Sequence, residues 1–377
     1  MRGESMKNNR VFAFVLLFVM AGSALAACAP ATPPVTSTEL NLYAFSEYVL
    51  DELISGFEAE SNVKVNYETY ATNEELLQGL RDKPGRYDLV IPSDYAVQTL
   101  IDQNALLPLD LSTIPNYDNV DTAFLSPYFD PGGATNGRRP AMRNEKFSLP
   151  YLWGTTGILY DKTKVTSPIT SWEDLWRPEL AGHIVVLDDA RELLGLTLLT
   201  LGYDKNETNA THIAEARDKL KELAPGIVAF DAETPEDYFL SGDAWVGVVY
   251  SGNAALAERQ GPNLVYVLPD EGAGIWFDNM AIPSDAPHVD VAITFMNYVL
   301  EPKNAAVIIN GFPYSTPNTG ALDYLKINNS AMYDAYVGSL ASNPPQDALL
   351  GAKLIKKVND STANLYEEYW AAVKSAR

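Results

Sequence analysis

Residues 183–201 read HIVVLDDARELLGLTLLTL: a short apolar run, two aspartates, then leucine-rich sequence. The β-branched run from His183 to Leu187 suits a buried strand. Ala190 to Leu201 suits a helix, with Asp189 as N-cap and Glu192 as a first-turn acid favoured by the helix dipole. The same alternation continues upstream. Leu40, Leu42 and Ala44 alternate as in a strand, and Leu50, Leu53, Ile54 and Phe57 follow at helical spacing. Val63, Val65 and Tyr67 form a second strand, Thr72 and Glu75 a capping box, and Tyr87 to Pro92 a third strand with Ser93 as N-cap. After a loop-rich region, 108–150, Ser171 with Asp174 caps a short helix. Downstream, Thr234-Pro235 opens a helix, Trp245 to Tyr250 is a strand, and Asn253 to Gln260 is a helix stopped by Gly261. Strands alternating with helices predict α/β layers around mostly parallel sheets.

The amino terminus has a different grammar. Arg2, Lys7 and Arg10 precede the apolar run Val11 to Met20, and small residues from Ala21 to Ala27 lead to Cys28, the only cysteine in 377 residues. This is the anatomy of a secretory signal over 1–27, too short for an ordinary spanning helix. Leu25-Ala26-Ala27-Cys28 resembles a bacterial lipobox, which implies cleavage before Cys28 and lipid on its sulfur. Residues 28–38 read as a Pro-rich tether, and no later stretch is long and apolar enough to cross a bilayer.

Removing residues 1–27, with three basic and one acidic side chain, takes the net charge from −22 to −24. Such a surplus argues against nucleic acid, whose phosphates reward Lys and Arg. It raises cation concentration near any cleft. The remaining length of about 350 residues is a prior for two domains, and a hydrophobic content of 47% supplies their cores. A lone cysteine excludes internal disulfides and thiolate metal clusters.

Enzyme signatures are missing: there is no G-x-S-x-G, no H-E-x-x-H and no phosphate-binding G-x-x-x-x-G-K-[ST]. His183, His212 and His288 are scattered and read as structural or surface residues. What stands out is acids beside aromatics where strands end. These are Phe45-Ser46-Glu47-Tyr48, Ser93-Asp94-Tyr95, Asp188-Asp189-Ala190-Arg191-Glu192, Tyr250, and Trp276-Phe277-Asp278 in a later apolar stretch. In open α/β sheets, ligands gather at the carboxyl ends of strands. Carboxylates between aromatic faces suit a linear aliphatic amine: the acids accept ammonium groups, the rings attract cations, and the methylenes gain apolar contact.

In these same segments the chain resembles the spermidine/putrescine-binding proteins of bacterial ABC importers. The likeness runs from about Glu39 to the C-terminus. It includes Ser46-Glu47-Tyr48, residues 87–93 (YDLVIPS), 171–176 (SWEDLW), 188–192 (DDARE), 275–278 (IWFD), 281–283 (AIP) and 366–369 (YEEY). The resemblance implies a two-lobed periplasmic-binding-protein fold of type II-like form, α/β, each lobe a mostly parallel sheet flanked by helices. Lobe 1 would comprise 39–153 and 276–318, and lobe 2 would comprise 154–275 and 319–377. It implies Glu47, Asp189, Glu192 and Asp278 as amine-binding acids, Tyr48 and Trp276 as aromatic walls, and Ser46, Ser93 and Tyr95 as hydrogen-bonding partners. Phe45 and Tyr250 stand where the family often has tryptophan. Residues 132–146, with Arg138, Arg139, Arg143 and Lys146, look like a basic insertion forming a solvated loop.

The expected protein is therefore an extracytoplasmic, lipid-anchored monomer without cofactor or metal. It binds a polyamine and docks on permease subunits, touching the membrane only through its anchor. Two alternatives stand beside it: a binding protein of the same fold for another small solute, and a secreted hydrolase using two of these carboxylates. A sensor that presents polyamines to a receptor is a further variant.

Overall fold

A computed structural model describes residues 34–46, 48–130 and 145–377. Cys28, Glu47, Arg138, Arg139 and Arg143 lie outside the described residues. The strands are β1 (Glu39–Phe45), β2 (Lys64–Tyr70), β3 (Leu89–Val90), β4 (Ser148–Asp161), β5 (Ile184–Val186), β6 (Ile227–Phe230), β7 (Val246–Tyr250), β8 (Leu264–Val267), β9 (Gly274–Ala281) and β10 (Lys353–Leu354). They run in the order β2-β1-β3-β9-β4-β7-β5-β6, with β10 beside β9 and β8 beside β4.

The expected strand–helix units give the parallel pairs β1–β2, β1–β3, β5–β6 and β5–β7. Asp189 caps the helix Ala190–Thr200 by accepting the Glu192 N–H. Thr72 accepts the Glu75 N–H, while the Glu75 carboxylate reaches past the cap to the Ala71 N–H. The Ser171 capping box is complete.

Sequence pattern alone did not reveal β4. Its fourteen residues, SLPYLWGTTGILYD, contain a proline and two glycines that look like breakers. The structure gives each a reason. The β4–β9 register shifts between Pro150 and Leu152, so the missing N–H falls at an irregularity. A side chain on Gly157 would collide with the Val267 carbonyl and the Tyr266 ring, and one on Gly154 with the Trp276 indole. β4 pairs antiparallel with β7, β8 and β9 and joins the two halves of the sheet.

Two cores follow. Leu40, Leu42, Phe57, Leu149, Leu152, Met280 and Phe295 belong to the first. Ile158, Val186, Leu193, Leu196, Val246, Tyr366 and Trp370 belong to the second. The molecule is thus a two-lobed α/β fold of the expected kind, with β4 passing from one core to the other and β9 running antiparallel beside it. One boundary shifts. The segment from 319, expected in lobe 2, begins in the first core, where Ala321, Leu325 and Tyr336 are buried. These residues come from successive helices, Thr319–Asn328 and Ser330–Gly338, whose apolar side chains pack into that core.

A second correction concerns Lys146. Expected in a solvated loop, it is 3% exposed, donating to the Asp130 carbonyl at 2.7 Å with the Asp130 carboxylate 3.6 Å away. A buried ammonium needs such partners. The histidines are structural, as expected: His183 stacks on Trp245, and His212 stacks on Tyr203 and meets Glu207 at 2.9 Å. At the chain entry, Thr36 and Ser37 are tied to Asp290 just ahead of β1.

Asp88 is fully buried and collects four donors: the Asn41 N–H at 2.6 Å, Asn41 Nδ2 at 3.0 Å, the His288 N–H at 2.8 Å and His288 Nδ1 at 3.1 Å. Its removal strands buried donors on β1 and at the start of the helix Val289–Val299. We therefore expect Asp88→Ala to lower stability by roughly 2–4 kcal/mol in urea titration. A loss within about 0.5 kcal/mol, the usual range for neutral surface changes, would contradict this bracing role.

Candidate functional site

Between the two cores lies a cleft enclosing about 820 Å³, part of it open to solvent. Its walls are the ends of β1, β3, β5 and β7 together with the middle of β9. Phe45, Ser46, Tyr48, Ser93, Tyr95, Asp189, Glu192, Tyr250, Trp276 and Asp278 all line it. Every sequence-predicted side chain within the described residues is therefore brought to one place. Glu47 is outside them.

Asp278 sits at the centre, 2% exposed. Ser93 Oγ donates to its Oδ1 at 2.6 Å, and the Tyr48 hydroxyl donates to its Oδ2. Ser93 was expected to cap the helix Asp94–Asp102. It occupies the cap position, but its hydroxyl makes no cap bond. The reason is Asn73, which holds Ser93 from both sides: Asn73 Oδ1 accepts the Ser93 N–H at 3.0 Å, and Nδ2 donates to Ser93 Oγ at 2.9 Å. With its oxygen accepting from Asn73, the hydroxyl directs its single proton to Asp278. A β-bridge between Ser93 and Asp278 fixes the two backbones.

Across the cleft, Asp189 divides its carboxylate. Oδ1 caps its helix, and Oδ2 accepts from the Tyr250 hydroxyl at 3.1 Å. Asp189 thus caps its helix and lines the cleft at once. Trp276 stands between the acids, edge-on to Tyr250 at 5.9 Å and to Tyr314 at 4.9 Å. Its ring lies over Gly154, where an added Cβ would stand 2.5 Å from the indole. The indole N–H is buried and has no hydrogen-bond partner among the described residues. Phe45 packs on Tyr48 and Tyr70 at 5.3 and 4.5 Å. Tyr95 donates to Glu74 at the rim, at 3.2 Å.

Burial sets the electrostatics. It pushes the Asp278 carboxyl up to about 7, against the opposing hydrogen bonds from Ser93 and Tyr48. Asp189 is raised by burial and then by the Glu192 charge, with the cap N–H and Tyr250 pulling the other way. Asp94 is raised well above the ordinary aspartate range, also by burial. Tyr48, Tyr95 and Tyr250 are raised by burial and remain donors. Asp278 and Asp189 thus pay a desolvation penalty that an incoming cation would relieve. Among the described residues the lining contains no Lys or Arg.

Sequence reasoning missed several lining residues. Asp94 stood in the Ser93-Asp94-Tyr95 cluster but was not singled out for the site; its Oδ2 is buried without a partner among the described residues, while Oδ1 accepts the Tyr95 N–H. Asn73 was not singled out either. Tyr70, Asn253, Phe312 and Tyr314 sit in segments whose spacing carries no site signal. Glu192 faces the cleft but is already engaged by Lys205 Nζ at 2.8 Å. Among the described residues no group of acids, histidines or cysteines could hold a metal ion, and no helix is long and apolar enough to cross a membrane.

Comparison with known proteins agrees with this geometry. Residues 52–338 match the model of the family described as bacterial extracellular solute-binding protein. The spermidine/putrescine-binding periplasmic protein of Salmonella typhimurium is 32% identical over 95% of this chain and 98% of its own. The putrescine-binding periplasmic protein PotF of Escherichia coli is 28% identical over 95% and 97%. Among solved structures, a putative spermidine/putrescine ABC transporter protein from Listeria monocytogenes superposes with a TM-score of 0.82. It is 33% identical, covering 90% of this chain and all of its own. Two cores joined by long antiparallel strands, a cleft between them and matches across nearly the whole length lead to one conclusion: the chain belongs to the bacterial extracellular solute-binding protein family.

Proposed function

We propose that this protein captures a linear polyamine, spermidine or putrescine, in the inter-lobe cleft and delivers it to the permease of an ABC importer. The observation that carries this reading is Asp278, a buried carboxyl raised to about 7, flanked by Trp276 and facing the Asp189–Tyr250 pair. One ammonium group binds Asp278 and another binds Asp189, while the methylenes between them lie against Trp276, Tyr250 and Phe45. Tyr48 and Ser93 hold Asp278 in place; Ser46 and Tyr95 complete the wall, and Glu47 is proposed as a further amine-binding acid. The names of the relatives support the same ligand class. An anion is disfavoured by a lining that, among the described residues, offers acids and neither Lys nor Arg.

Lobe 1 comprises residues up to 153 and 276 to about 338, and lobe 2 comprises 154–275 and the remainder. The lobes close about the crossing of β4 and β9, driven by contacts made only in the shut state. Cys28 carries the lipid anchor, the protein works outside the cytoplasm as a monomer, and the ligand is released unchanged.

Isothermal titration of the purified full-length chain against putrescine, spermidine and glutamate tests the reading. We expect saturable one-to-one heat with an amine, none with glutamate, and recovery of intact amine. Absence of heat with both amines, from folded protein freed of co-purified ligand, would remove the polyamine assignment. In the same assay Asp278→Asn should weaken amine binding by roughly 2–5 kcal/mol, the cost of truncating one partner of a buried charge pair. An unchanged affinity would take Asp278 out of the site.

A further inference from the structure

Glu192 and Lys205 form a buried pair in the wall of the cleft. Their side chains are 4% and 2% exposed, and Lys205 Nζ donates to Glu192 Oε2 at 2.8 Å. Lys205 follows the helix Ala190–Thr200 and folds back along it, through a passage that two glycines leave open. A Cβ on Gly195 would stand 2.8 Å from Lys205 Cγ, and one on Gly274 would stand 2.9 Å from Nζ. The backbone thus makes room for a lysine to reach one specific acid from behind the cleft wall.

That acid faces the ligand space: Glu192 lines the cleft, and Lys205 does not. Glu192 therefore already holds an ammonium group, on a four-carbon stem supplied by the chain itself. The other carboxyls lining the cleft among the described residues are Asp94, Asp189, Glu233 and Asp278, of which Glu233 is exposed. Burial raises Asp94 well above the ordinary range, which favours its neutral form. Asp189 and Asp278 face each other across the aromatic wall, each backed by a tyrosine hydroxyl. Asp189 and Asp278 offer one buried-wall acceptor to each of two ammonium groups. A third ammonium group directed at Glu192 would enter beside Lys205 and find that carboxylate already paired, and like charge in a desolvated wall is costly.

We infer that Lys205 is a specificity determinant, which holds Glu192 out of ligand binding and makes the cleft select a diamine over a triamine. This rests on the polyamine reading above.

The test is calorimetric titration of wild type, Lys205→Met and the double variant Lys205→Met/Glu192→Gln with putrescine and spermidine. Wild type is expected to bind putrescine at least about tenfold tighter than spermidine. Lys205→Met frees the Glu192 charge and should move the spermidine-to-putrescine affinity ratio at least about tenfold toward spermidine. The double variant, in which that charge is absent, should return the ratio to the wild-type value. A wild type that prefers spermidine overturns the inference and leaves the polyamine reading standing, and that arm decides even if Lys205→Met does not fold. An unmoved ratio in a folded Lys205→Met, or a spermidine shift that persists in the double variant, overturns it too. Failure of wild type to bind either amine defeats both.

Discussion

A carboxylate buried in a wall of aromatic rings is the constraint around which this molecule is arranged. Asp278 lies in the middle of a strand, 2% exposed, where water cannot solvate its charge. Its two direct donors come from different places: Ser93 between β3 and the helix that follows it, and Tyr48 between β1 and its following helix. Tyr48 is in turn fixed by Tyr151, whose hydroxyl donates to the Tyr48 carbonyl at 2.6 Å, and Ser93 by Asn73. Three segments distant in sequence are thus organised about one group. Hydrogen bonds from neutral donors reduce the desolvation penalty without cancelling it. What is left over is a penalty that a cation would offset.

The scaffold that carries this group is built on the crossing of β4 and β9. Long antiparallel strands shared by both halves give each lobe its own core while leaving few connections between them. The cleft falls where the parallel strands end, as open α/β sheets require. Trp276 reaches its position because Gly154, its partner across the β4–β9 ladder, has no side chain. The aromatic wall is therefore specified by a glycine in the neighbouring strand as much as by the tryptophan.

Much of this was legible in the sequence, and the physical reasons separate what was from what was not. Strand–helix units announce themselves through β-branched runs followed by capping residues, so β1, β2, β5 and β7 and their helices were readable. The site residues stood out because acids and aromatics recur together at strand ends. The strand β4 was hidden because its proline and glycines answer to tertiary contacts, an irregular register and two close approaches, which local pattern cannot express. Lys146 and Lys205 were hidden for a related reason. Burial of a lysine depends on a carboxylate that folding brings to it, Asp130 in one case and Glu192 in the other. Ser93 shows the limit most sharply. Its cap position was readable, but its hydroxyl turns to Asp278 because Asn73, twenty residues earlier, occupies its oxygen.

The most direct measurement is the number of protons released when putrescine binds, from calorimetric titrations at pH 6 in buffers of different ionisation enthalpy. Burial pushes the Asp278 carboxyl up to about 7, which favours its protonated form at pH 6, and an ammonium ligand favours its ionised form. Binding at pH 6 should then release about one proton or more, with affinity rising as pH increases toward 8 and levelling above it. Heats independent of buffer, with an affinity unchanged between pH 6 and 8, would contradict a buried carboxylate as the centre of recognition.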